Sequence, residues 1–159
     1  MACCAGVHTV GCKADLPELT DAGGGVGEEC SPYADLLVAY TPAQGGDSAS
    51  GELALGAPDD MATLLAPNDV LTVGFVGLGA IEEMATLGDD IAIVGSAVDG
   101  TEVTVHLSVD GTVWEMAGSL LTTAGEADLG IDIAETASLS YVVYLQLVGV
   151  SGMMQIDAI

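Results

Sequence analysis

From Pro32 onward the chain breaks into short apolar runs separated by Gly, Asp and Pro at intervals of roughly ten residues, the texture of a β-sandwich or barrel. The runs predict strands at Ala34–Tyr40, Ala62–Leu65, Val70–Val76, Ile91–Val94, Glu102–Ser108, Val113–Ala117, Asp128–Ile133, Tyr141–Val148 and Met154–Ala158. Alternation is cleanest in Glu102–Ser108. There Val103, Val105 and Leu107 fall on one face, and Glu102, Thr104, His106 and Ser108 on the other. Asp110-Gly111 follows, and it predicts a tight hairpin turn before Trp114. The only helical spacing is in Ala80–Leu87, which would give about two turns with Ile81, Met84 and Leu87 on one side. No internal repeat of solenoid or propeller length is present.

Residues 1–31 read differently, as an N-terminal arm preceding a domain at 32–159. The stretch from Asp21 to Glu29 is acidic and Gly-rich, which suits a connector. All four cysteines, Cys3, Cys4, Cys12 and Cys30, lie in this arm. They allow one or two disulfides, free thiols, or a metal or iron–sulfur site, with His8 as a further ligand. The absence of a Cys-x-x-Cys pair weakens the metal option.

Composition narrows the function. The chain has 24 acidic residues against a single basic one, Lys13, for a formal net charge of -23. A phosphate backbone is bound by displacing its counterions with Lys and Arg. Nucleic acid is therefore excluded as a partner, and anionic membrane surfaces are disfavoured on the same ground. Half the residues are hydrophobic, so this is no disordered acidic tail. With one Trp, one Phe and four Tyr, the core must be built from aliphatic side chains and Met. No run is long and apolar enough for a membrane-spanning helix, and the N-terminus lacks the basic and apolar regions of a secretory leader.

With the strands placed, residues 53–159 resemble the calcium-associated jelly-roll modules of microbial cell-surface proteins. These are relatives of discoidin-type domains and carbohydrate-binding modules. The matching pieces occur in order: Ala54-Leu-Gly-Ala-Pro-Asp59, Val70-Leu-Thr-Val-Gly-Phe75, Gly88-Asp89-Asp90-Ile-Ala-Ile-Val94, the strand–turn–Trp element Val103–Trp114, then Tyr141–Val148 and Gln155-Ile-Asp157-Ala-Ile159. The resemblance implies an all-β, antiparallel jelly-roll sandwich. Its ligand positions are degenerate here. Gln146 stands where the family has Arg, Gly149 where it has Asp, Gln155 replaces the first Asp of the terminal motif, and the Glu after the Asp-Leu strand is missing.

The same resemblance places Asp59, Asp60, Asp89, Asp90 and Asp157 near one another, with Asp59, Asp89 and Asp157 as the candidate calcium ligands, since calcium takes six to eight oxygens from carboxylates and loop carbonyls. The competing expectation is that these aspartates are turn formers. Trp114 is the candidate sugar-stacking residue, against a role in the core. Catalysis finds no support: the two histidines, His8 and His106, lie in different regions, and no phosphate loop is present. The sequence thus predicts a non-enzymatic protein. The first expectation is a structural component on the exterior of a virion or similar particle, with capsid or tail proteins or copies of itself as neighbours. The alternative is an extracellular or cell-surface module, either a calcium-dependent binder of a surface glycan or a filament subunit.

Overall fold

The computed structural model describes residues 33–75, 81–82, 90–122, 129–133 and 138–159. Within them the strands are β1 (Leu36–Thr41), β2 (Thr63–Leu65), β3 (Val70–Gly74), β4 (Ile81–Glu82), β5 (Ile91–Ala97) and β6 (Glu102–Ser108). β7 (Glu115–Leu121), β8 (Leu129–Ile131), β9 (Tyr141–Val142), β10 (Tyr144–Ser151) and β11 (Met154–Ala158) complete the order. One 3-10 helix, Ser48–Ala54, joins β1 to β2. Among the described residues no helix is long and apolar enough to cross a membrane.

The strands form an antiparallel jelly-roll sandwich. A five-stranded sheet has the order β1-β3-β10-β6-β7, a four-stranded sheet the order β2-β11-β5-β8, and β4 and β9 make a short ribbon. The chain changes from one large sheet to the other at β1–β2, β2–β3, β5–β6, β7–β8 and β10–β11. Period-two alternation then decides the burial. In β6, Val103, Val105 and Leu107 point inward; in β11, Met154, Ile156 and Ala158 do. All of these but Ala158 meet Leu71, Val73, Leu145, Leu147, Ile91 and Ile93 in one cluster.

Buried polar groups are few and all partnered: among the described residues no buried side-chain nitrogen or oxygen lacks a hydrogen bond. Asp69 is the one acidic side chain among the buried polar groups of the described residues. Its carboxylate accepts the N–H of Ala43 (2.7 Å), the N–H of Ala66 (2.9 Å) and the hydroxyl of Tyr40 (3.2 Å). It thereby ties the β2–β3 turn to the end of β1.

Two expectations are corrected. Ile81 and Glu82 are not helical; they pair with Val142 and Tyr141. A strand partner some sixty residues away overrides local spacing, which carries no information about it; the rest of the expected helix lies outside the described residues. Asp110-Gly111 does not close a two-residue turn either. β6 ends at Ser108 and β7 opens at Glu115, leaving Trp114 in the loop between them. Side chains close that loop: Asp110 Oδ1 accepts the N–H of Thr112 (2.8 Å) and Val113 (2.9 Å), and Ser108 Oγ accepts the N–H of Gly111 (2.9 Å). The arm at 1–31 and its four cysteines lie outside the described residues.

Candidate functional site

The outer face of the four-stranded sheet carries a groove, and a local irregularity in β11 builds it. Along β11, Ile156 is paired with Gly95 and Ala158 with Val94, so Asp157 is an extra residue on that strand. A bulge of this kind bends the strand and re-aims its side chain. It also brings the two backbones unusually close, because a Cβ at Gly95 would lie 2.0 Å from the carbonyl oxygen of Gln155. Only glycine fits there.

Thus re-aimed, Asp157 reaches the loop before β2. Its Oδ1 accepts the N–H of Asp59 at 3.0 Å, and its Oδ2 the N–H of Asp60 at 3.4 Å. Asp59 in turn accepts the N–H of Met61 at 2.9 Å, and Asp60 is held in the left-handed region at φ 67°. Aspartate is among the few non-glycine residues that enter that region, and a hydrogen bond to its N–H helps to hold it there. Asp157 supplies that bond.

The groove has a volume of about 260 Å³ and is lined by Asp60, Ala62, Val94, Gly95, Ser96, Gln155 and Asp157. The lining combines the apolar or small Ala62, Val94 and Gly95 with the polar Asp60, Ser96, Gln155 and Asp157. Ser96 donates its hydroxyl to Gln155 Oε1 at 3.1 Å, so the Gln155 amide nitrogen is not engaged by Ser96 and keeps its donor capacity. The site therefore offers carboxylate acceptors and an amide donor beside small residues.

The sequence-derived residues are distributed as follows. Asp59 and Asp157 do meet; Asp89 lies outside the described residues. Among the described residues no group of three or more His, Cys, Asp or Glu side chains is arranged to hold a metal ion. Trp114 is half-buried and belongs to the β6–β7 loop of the other sheet, so it takes no part in the groove. Tyr144, on the outer face of that other sheet, packs its ring over the glycines at Gly74 and Gly111. His106 is half-buried in β6, opposite Gln146 and Met116. Sequence reasoning passes over Ser96; it reaches Asp60 only as one of the clustered aspartates and Gln155 only as a lost acidic position. The alternation of β11 signals that Gln155 faces outward, but the register that sets it beside Ser96 is non-local.

The sequence matches no known family model and no curated protein. Two solved structures are similar in shape. One is the CBM32 of AlyQ in complex with 4,5-unsaturated mannuronic acid, with 12% identity and a TM-score of 0.48 over 79% of this chain and 93% of that one. The other is CBM32-1 from a family 31 glycoside hydrolase from Clostridium perfringens, with 10% identity and a TM-score of 0.48 over 74% of this chain and 88% of that one.

Proposed function

We propose that this chain is a non-catalytic recognition module, acting outside the cell, that binds a neutral glycan in the groove on the outer face of the four-stranded sheet. The observation that carries the reading is the set of groups in that groove: Asp60, Asp157 and Gln155 around Gly95 and Ala62. A sugar hydroxyl donates and accepts at once. Adjacent hydroxyls on a ring are satisfied by carboxylate acceptors next to an amide donor. The small residues of the lining leave room for the ring, and the groove is on the scale of a single sugar unit.

Charge selects among sugars. Asp60 and Asp157 line the groove of a chain with net charge -23, so a uronic acid or sulfated sugar would meet like charge. The free lone pairs of the Asp59–Asp157 corner are assigned to sugar hydroxyls rather than to calcium, because each Asp157 oxygen already accepts a backbone N–H. Of the two roles raised by the sequence, the groove favours recognition over a purely structural place on a particle. Titration calorimetry with neutral, amino and acidic oligosaccharides tests the reading. Binding confined to uncharged or amino sugars, and lost in Gln155→Ala, supports it; no heat with any of the three classes overturns it.

A further inference from the structure

We infer that the end of the sandwich where β5 turns into β6 and β10 into β11 is a docking surface for a protein partner whose contact face is apolar at its centre and basic at its rim. Four large apolar side chains stand exposed there: Val98 (56%), Leu121 (71%), Val150 (45%) and Met153 (49%). They come from three different segments, so nothing in the local sequence groups them. Strand pairing and backbone hydrogen bonds bring these segments side by side at one end of the sandwich, and large apolar side chains left exposed together on an otherwise well-packed domain mark an interaction site.

The segments are locked together. Val98 N–H donates to the Met153 carbonyl (3.2 Å), Gly100 N–H to the Thr122 carbonyl (3.1 Å), and Thr122 N–H to the Thr101 carbonyl (2.9 Å). Two threonines form the hub, Thr101 at 1% and Thr122 at 3% exposure. The Thr101 hydroxyl bridges both backbone groups of Met153, and the Thr122 hydroxyl reaches the carbonyls of Val98 and Thr101. Gly152 (φ 70°) seats directly on Thr101, where a Cβ would collide with its hydroxyl at 2.3 Å. A surface fixed in this way loses little conformational freedom on binding. Such rigidity beneath exposed aliphatic groups is the arrangement of a preformed contact face.

Charge names the occupant. Asp99 sits within the patch, between Val98 and Gly100, and Glu102 lies at its edge, opposite both Leu121 and Ser151. A second copy would bring the same Asp99 and Glu102 against their counterparts, and an anionic lipid surface would be repelled in the same way. A partner ringed with Lys or Arg gains from both residues. This surface does not depend on the groove.

The test uses the full chain and a fluorescent amphipathic peptide with a leucine stripe flanked by lysines. Saturable binding is expected, weakened tenfold or more by Val98→Ser combined with Leu121→Ser, and several-fold by Asp99→Asn or added salt. The matching peptide with Glu in place of Lys should not bind. An unchanged melting temperature confirms that the double variant is folded. Equal affinity of wild type and double variant overturns the proposal. So does a concentration-dependent dimer in sedimentation that the double substitution abolishes, which assigns the face to a second copy. Retention on phosphatidylcholine vesicles by the wild type but not by the double variant overturns it as well, in favour of lipid.

Discussion

Asp157 holds Asp59 across 98 positions of sequence, its Oδ1 accepting the Asp59 backbone N–H at 3.0 Å. Through this contact the last strand fixes the loop that precedes β2. Asp157→Ala removes the acceptor for both Asp59 and Asp60, and should cost about 1 kcal/mol, the usual net value of a hydrogen bond, because both bonds lie at an exposed site. Sugar binding should fall with it, since Asp60 then loses a bond that helps to hold its left-handed conformation. Asp157→Asn keeps one acceptor and should recover part of the stability. Denaturant unfolding of the two variants checks the ranking.

Gly95→Ala should be far more damaging than its size suggests. The added Cβ would lie 2.0 Å from the Gln155 carbonyl oxygen, which is backbone and has no rotamer to escape into. Overpacking that moves backbone costs at least about 1–3 kcal/mol. A melting temperature within a degree of wild type would show that β5 and β11 do not approach in this way.

The acid response should be local to the β6–β7 loop. N–H groups of Val113 and Thr112 hold the Asp110 carboxyl below its usual 3.8, at about 2. A depressed carboxylate contributes stability that is present above its unfolded value and is lost as pH falls from about 4 through about 2. Amide signals of Thr112 and Val113 should therefore shift with a midpoint near pH 2, and Asp110→Asn should abolish the transition. A midpoint near 4 would contradict these bonds.

The alkaline response should come from Tyr40. Burial, reinforced by the neighbouring Asp69 charge and the hydrogen bond to it, pushes its hydroxyl up from 10 to about 12. The folded state therefore retains the proton more tightly than the unfolded chain. The stability this confers is intact below pH 10 and is lost as pH rises to about 12. Tyr40→Phe should flatten that part of the pH–stability curve, as measured by urea midpoints between pH 9 and 12. An unaltered decline in the variant would place the cause elsewhere.

Removal of divalent cations should leave the melting temperature unchanged at matched ionic strength, because hydrogen bonds already close the Asp59–Asp157 corner. A fall of several degrees with chelator, reversed by calcium, would put an ion there instead.

How much of this the sequence discloses depends on how local each cause is. β6 and β11 occupy the very residues that alternation predicts, since burial of every second side chain is written in the strand itself. Ser48–Ala54 escapes because a seven-residue 3-10 helix is too short to show a period, although Asp47 does cap it through the N–H of Ala49. Ile81–Glu82 misleads because its partner is remote. The meeting of Asp59 with Asp157 follows from the order of motifs in the resembling modules, whereas the bulge that aims Asp157 is a matter of register with Gly95. Trp114 was singled out as an aromatic in an aromatic-poor chain, but its loop belongs to the other sheet.

The central claim is a sugar site in the groove, and backbone amide shifts during titration with a neutral oligosaccharide test it most directly. The account predicts that the largest changes fall on Asp60, Gly95, Ser96, Gln155 and Asp157, with Trp114 and Tyr144 unmoved. Changes centred on Trp114, Tyr144 and His106, on the opposite face of the sandwich, would contradict it.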